Sequence, residues 1–144
     1  MSLAMSKAAR EAFLAETRVG MVGIQDPGRG PLVVPVWYRY DPGGAVRFAT
    51  GGTSRKALRL REHPRMTLCV QNETPPYSYV TVEGPAIIGP ADYERDLEEM
   101  AYRYLGEEFG RGYLEATHPG GAVGDTVVVT LTPERWWSVD YGSA

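Results

Sequence analysis

The chain has 144 residues, 43% of them hydrophobic, and a formal net charge of −3. That length suits one domain with a sizeable core, and the composition excludes a disordered chain. The negative balance argues against a dedicated nucleic-acid binder, no apolar run is long enough to span a bilayer, and the single cysteine, Cys69, excludes an internal disulfide and fits a reducing cytoplasm.

A second methionine, Met5, makes Met1–Ala4 read as an expression leftover, so one domain is expected over residues 5–144. Lys7–Glu16 has the spacing of a short amphipathic helix. Arg18–Gln25 is strand-like, and Gln25–Pro31 (QDPGRGP) is a turn. Leu32–Tyr40, rich in Val, Trp and Tyr, predicts a second strand. Asp41–Gly44 (DPGG) predicts a hairpin turn into a third strand, Ala45–Thr50. Links this short predict an antiparallel meander.

Ser54–Glu62 reads as a helix with Ser54 as its N-cap and Pro64 closing the segment. Arg65–Gln71 is a fourth strand, and its Cys69 is read as a small core residue. Tyr77–Ile88 is a long fifth strand in which Gly84–Pro85 marks a bulge or bend. Pro90–Leu105 gives the clearest helix, with Tyr93, Leu97, Met100, Ala101 and Tyr104 on one stripe and the carboxylates of Asp92–Glu99 on the solvent face. Glu107–Thr117 continues as a second short helix after Gly106, and His118–Asp125 is a flexible loop. Thr126–Leu131 is the last strand, extending toward Trp136–Val139. Six antiparallel strands with three or four short helices suggest a closed or nearly closed barrel, because closure removes exposed edges.

Chemistry concentrates in one stretch, FATGGTSRKALRLREHPR, Phe48–Arg65. Two glycines there allow unusual backbone and close approach to a ligand. The following helix N-terminus favours an anion, Thr53 and Ser54 add hydroxyls, Arg55 a planar fork and Lys56 a compact charge. A phosphate cradle and a plain capped surface helix with solvated basic residues are both consistent with this pattern. Neither GxxxxGK[ST] nor GxGxxG is present. His63 and His118 have no second His or Cys at ligand spacing, so no metal site is expected, and His63 reads as a surface residue. The acidic residues near Asp92–Glu99 do not form a catalytic pair.

F-x-T-x-x-x-S-R-K-A followed by H-P-R and an apolar strand resembles the pyridoxamine 5′-phosphate oxidase superfamily of flavin-binding split β-barrels. PVWYRYDPGGAVRFAT resembles the paired strands ahead of that family's phosphate loop, and YVTVEGPAII its long central strand. The resemblance implies a mainly β fold with short helices, a six-stranded antiparallel split barrel. It implies a homodimer with two cofactor sites at the interface. It places Ser54, Arg55 and Lys56 on the cofactor phosphate, Pro35, Val36 and Trp37 along the ring system, and Ala49 and Thr50 at the adjoining strand end. Tyr79 stands where the oxidase proper has a glutamine reaching the cofactor. Trp136 or Trp137 matches an aromatic near the cofactor, with core or dimer packing the simpler role for the pair.

The chain ends SVDYGSA, without the arginine and histidine that bind pyridoxine phosphate in the oxidase proper, so vitamin B6 oxidation is not expected. The compact length and VEGPA resemble the branch that uses the deazaflavin coenzyme F420. The implied activity is hydride transfer between deazaflavin and an unsaturated small molecule without a dedicated catalytic residue. The alternatives are an FMN-dependent oxidoreductase of the same fold and a non-enzymatic flavin- or haem-binding module. Tyr77 and Tyr79 are candidates for the substrate side or for barrel packing. Arg59 and Arg61 are candidates for the acidic tail of F420 or are solvated helix residues.

Overall fold

The computed structural model describes residues 2–143. Helix α1, Lys7–Ala15, begins where the Ser6 hydroxyl accepts the Ala9 N–H at 3.1 Å, and it buries Leu14. Eight strands follow: β1 Gly20–Ile24, β2 Leu32–Val36, β3 Arg39–Tyr40, β4 Val46–Gly51, β5 Arg65–Gln71, β6 Ser78–Pro90, β7 Thr126–Leu131 and β8 Arg135–Asp140. Helix α2, Arg55–Glu62, lies between β4 and β5. A π-helical turn, Tyr93–Glu98, and helix α3, Glu99–Thr117, lie between β6 and β7.

The sheet runs β2-β1-β5-β6-β7-β4-β3, all antiparallel, with β8 also paired to β6. The fold is the expected mainly β split barrel, but with eight strands rather than six. Two segments that read as continuous strands are each broken. Leu32–Tyr40 leaves one end of the sheet at Val36 and joins the other end at Arg39, so only Trp37 and Tyr38 connect the two edges. Its two halves pair with different neighbours, so the expected three-strand meander is interrupted between β2 and β3, and the sheet curls back on itself as the expected barrel requires. Thr126–Val139 is broken at Thr132–Glu134, where Pro133 has no N–H to continue a ladder.

β6 is long because it serves two partners on one side. Ser78–Glu83 pairs with β8, and Ala86–Pro90 pairs with β7. Gly84 sits at the change of partner. A Cβ there would lie 1.9 Å from the Thr132 carbonyl oxygen, so only glycine lets the β7–β8 connection pass. Alternate residues of these strands, among them Val22, Leu68, Val80, Val82 and Leu131, fill the barrel with Tyr38 and Phe48.

The residues ahead of α1 lie along β8. The Asp140 N–H donates to the Leu3 carbonyl at 2.8 Å, and the Met5 N–H to the Ser138 hydroxyl at 2.9 Å. The apolar stripe over Tyr93–Tyr104 faces inward as expected, with Leu97, Met100 and Ala101 buried. The helix itself begins as a π turn and breaks at Gly106, whose φ of 78° and ψ of 171° are not helical. One carboxylate expected on the solvent face is instead inside: Asp96 is 2% exposed. The widened turn brings it to the inner face beside Leu97, where Arg47 of β4 compensates its charge at 3.0 Å.

Candidate cofactor site

The start of α2 is built by local hydrogen bonds. The Ser54 hydroxyl accepts the Ala57 N–H at 3.2 Å and lies 3.0 Å from the Thr50 hydroxyl. Both hydroxyls are thus engaged in ending β4 and capping α2. The glycines ahead of them act differently from the sequence reading. Neither Gly51 nor Gly52 has a positive φ. The Gly52 N–H donates to the Asp125 carbonyl at 2.9 Å, and a Cβ would lie 2.6 Å from that oxygen. Gly52 therefore admits another stretch of this chain's own backbone. Arg61 is exposed on α2, as a solvated helix residue would be, and its guanidinium donates to the Gly52 carbonyl at 2.6 Å.

Arg55 and Arg59 share a partner that the sequence did not single out. Asp26, in the turn after β1, has a side chain 2% exposed; one oxygen meets Arg55 and the other lies 3.0 Å from Arg59 Nε. Lys56 has no ion-pair partner among the described residues. It points into a cavity of about 510 Å³.

Four implied residues, Pro35, Val36, Trp37 and Ala49, form one side of this cavity, together with Val19. Leu97, Met100, Tyr113 and Leu114 form the other, and Asp96 and His118 complete the lining. Trp37 is held flat on Tyr104, with ring centroids 5.2 Å apart and 7° between planes, and tilted against Tyr113 at 5.3 Å. The roof rests on a small cluster of Leu97, Ala101 and Leu114, separate from the barrel core. His118 joins the roof to β7: its ring nitrogens lie 2.9 Å from the Thr117 hydroxyl and 3.1 Å from that of Thr126. Thr117 gives its proton to the Tyr113 carbonyl at 2.8 Å, so Nδ1–H of His118 donates to Thr117.

A sequence profile described as pyridoxamine 5′-phosphate oxidase matches residues 6–140. The chain belongs to the pyridoxamine 5′-phosphate oxidase family. This is a superfamily of flavin-binding oxidoreductases. No curated protein matches the chain. Among solved structures, a conserved hypothetical protein from Mycobacterium tuberculosis is similar over 95% of this chain and 86% of its own, at 24% identity and a TM-score of 0.76. An F420 reductase is similar over 88% and 94%, at 23% identity and 0.71. An FAD-binding protein from Mesorhizobium loti is similar over 94% of each chain, at 20% identity and 0.67. At these identities the likeness is one of fold.

Within this pyridoxamine 5′-phosphate oxidase fold, the residues named from sequence divide by position. Pro35, Val36, Trp37, Ala49 and Lys56 line one cavity. Thr50, Ser54 and Arg55 are not among its lining residues: the Thr50 and Ser54 hydroxyls meet each other at the start of α2, and Arg55 is turned toward Asp26. Tyr79 is not among the lining residues. It lies on the outer face of β6, in register with Gln71 and Val139. Trp136 packs against the core, under the Arg10 guanidinium at 4.7 Å, whereas Trp137 is half exposed on the outer face. Tyr77 is exposed at the start of β6.

The residues that sequence reasoning missed are Asp26, Asp96, Tyr113 and His118. Their signals were weak. An Asp-Pro in a turn and an Asp among four other acids, Asp92, Glu94, Glu98 and Glu99, are common surface patterns. No apolar spacing marks a histidine that follows a helix.

Proposed function

We propose that the chain is an oxidoreductase that binds coenzyme F420 in the cavity beside Lys56 and passes a hydride between it and an unsaturated small molecule. The carrying observation is the cavity itself: one unpaired ammonium at the start of a capped helix, facing walls that are mostly apolar and aromatic. That donor set suits a planar ring system with a phosphate arm. Lys56 would hold the phosphate, helped by the α2 N-terminus. Pro35, Val36 and Trp37 would lie along the ring, and β2 ends at Val36, so the Trp37 backbone is outside both ladders. Leu97, Met100, Tyr113 and Leu114 would offer the ring an apolar wall. The deazaflavin supplies the hydride chemistry when bound.

The F420 reductase among the similar structures favours the deazaflavin, and the FAD-binding protein keeps an ordinary flavin such as FMN as the alternative. We further propose that two copies associate through the outer face of the sheet. Pro35, Met21, Cys69, Thr81 and Trp137 are successive register partners across β2, β1, β5, β6 and β8, so Cys69 lies partly buried on the outer face rather than in the core as its apolar neighbours suggested. Met21, Val33 and Trp137 on that face are exposed apolar residues. Tyr79 on the same face would then serve the cavity of the second copy. No helix among the described residues is long and apolar enough to cross a membrane. A cytoplasmic setting is proposed from the single, unpaired Cys69.

Titration of the purified protein with F420 and FMN, followed by fluorescence, tests the reading. Tighter binding of F420 supports it. Preference for FMN moves the assignment to a flavin oxidoreductase, and binding of neither overturns it.

A further inference from the structure

We propose that Asp26 is a positioning residue for the anion anchor: by gripping Arg55 and Arg59 it fixes the rotation of α2 that presents Lys56 to the cavity. The inference rests on the reading of the cavity as a cofactor site, and its geometry stands on this chain alone. Asp26 belongs to the turn after β1 and is 4% exposed, and among the described residues its side chain meets two arginines only: Arg55 through a hydrogen bond, and Arg59 as an ion pair in which the buried Arg59 Nε–H finds no hydrogen-bond acceptor. Its turn is itself braced, since the Arg29 N–H donates to the Asp26 carbonyl at 3.0 Å.

Arg55 and Arg59 are four residues apart, so they occupy one face of α2. Lys56 follows Arg55 by one residue, which turns it about 100° around the helix axis, toward the cavity. A carboxylate that hydrogen-bonds Arg55 and lies in ion-pair contact with Arg59 therefore sets which way the lysine faces. The rest of α2 constrains that rotation from the far side: Ala57 and Leu60 are buried. Asp26 completes the set on the side where only charged residues remain. A buried carboxylate between two arginines also keeps them from repelling each other when Lys56 adds a third positive charge nearby.

The composition makes this testable. The chain has two lysines, Lys7 and Lys56, among its fifteen basic residues. Lys7 is exposed on α1 and serves as an internal reference. The folded protein is acylated with an N-hydroxysuccinimide ester, and labelling of the two lysines is followed by peptide mass spectrometry. The Lys56-to-Lys7 rate ratio is expected to rise about threefold or more in Asp26→Asn, because Lys56 leaves the cavity wall. It should stay near the wild-type ratio in Asp26→Glu, which keeps the charge. An unchanged ratio in Asp26→Asn overturns the proposal.

FMN and F420 titrations add the second arm. Asp26→Asn should weaken the tighter of the two ligands about tenfold in the wild-type background and leave its affinity unchanged in a Lys56→Met background. An equal loss in both backgrounds means that Asp26 acts on the fold rather than through Lys56, and overturns the proposal, as does tighter binding in Asp26→Asn. If the wild type binds neither ligand, the cofactor reading falls and the labelling ratio alone decides the role of Asp26. Should Asp26→Asn fail to fold, Arg59→Met, which leaves Asp26 paired with Arg55, carries the labelling test with a smaller rise expected and no rise overturning it.

Discussion

The Tyr104 hydroxyl accepts the Tyr38 N–H at 2.9 Å, so one side chain of α3 holds the backbone of the residue that joins the two ends of the sheet; the Tyr38 carbonyl oxygen, also 2.9 Å away, competes with a second carbonyl for the single phenol proton. That second carbonyl belongs to Arg18, 2.7 Å from the hydroxyl. Neither ladder supplies these partners, since β2 ends at Val36 and β3 begins at Arg39. Tyr104→Phe removes them and orphans a backbone N–H. The expected loss is about 1–3 kcal/mol of stability, read by urea unfolding. Trp37 stacks on the same ring, so its fluorescence should change little while the ring remains.

Burial pushes the Tyr38 phenol well above the ordinary tyrosine value of 10.0, and the neighbouring Tyr104 adds to the shift. Its hydroxyl donates to the Leu14 carbonyl at 2.7 Å. The unfolded chain gives up this proton first as pH rises. Stability is therefore unaffected by Tyr38 below the unfolded value and is lost above it, toward the raised folded value. Urea unfolding should show a decline above about pH 10 that is steeper in wild type than in Tyr38→Phe, by at most about 1.4 kcal/mol per pH unit. Equal slopes would count against it.

Arg47 meets both oxygens of Asp96, at 3.0 and 3.1 Å from Nη2. Asp96 also accepts the Asp92 N–H at 2.8 Å, which ties the π turn to β4. Arg47→Met leaves the buried carboxylate with only the more distant, exposed Arg95, 3.7 Å away, and a loss toward the lower end of about 3–5 kcal/mol is expected. The double variant Arg47→Met, Asp96→Leu should recover much of that loss. Thermal unfolding of the set provides the comparison.

Gly84→Ala should be among the most damaging small substitutions. The added carbon would meet a backbone carbonyl at 1.9 Å, and backbone cannot swing aside as a side chain does. A loss of about 3 kcal/mol or more is expected from overpacking where β6 changes partner. A midpoint of denaturation within error of the wild type would show that the β7–β8 connection yields more easily than its contacts indicate.

Lys56→Ala should weaken cofactor binding about 10- to 100-fold, the worth of one charge-assisted contact to a phosphate. Arg55→Ala should cost less, because its guanidinium is already committed to Asp26. A fluorescence titration of both variants tests the order. The reverse order would make Arg55 the principal anchor.

Much of the barrel was legible because its cues are local. Alternation marks β4, β5 and β7; Ser54 marks the start of α2; Gly106 marks the break in α3. The errors come from long-range events. Nothing local in Leu32–Tyr40 distinguishes one strand from two half-strands at opposite ends of a sheet. Asp96 reads as a surface acid until Arg47, 49 residues earlier, is brought beside it. The candidate site divides the same way. The strand and helix ends on one wall carried motifs, whereas Tyr113 and His118 enter only through the path that α3 takes after its break.

The cavity draws on residues from Val19 to His118, contributed by a strand entrance, two strand ends, two helices and a π turn. No fragment of the chain holds a partial version of it. Any ligand that fills it therefore binds the completed fold and not the unfolded chain, and its binding energy adds to the stability of the whole. At a hundred times its dissociation constant a ligand contributes about 2.7 kcal/mol. For a chain of this size that raises the melting temperature by on the order of 10 °C. Heat is thus an unbiased judge of candidate ligands: the compound that the cavity was shaped to hold is the one that makes this protein hardest to melt.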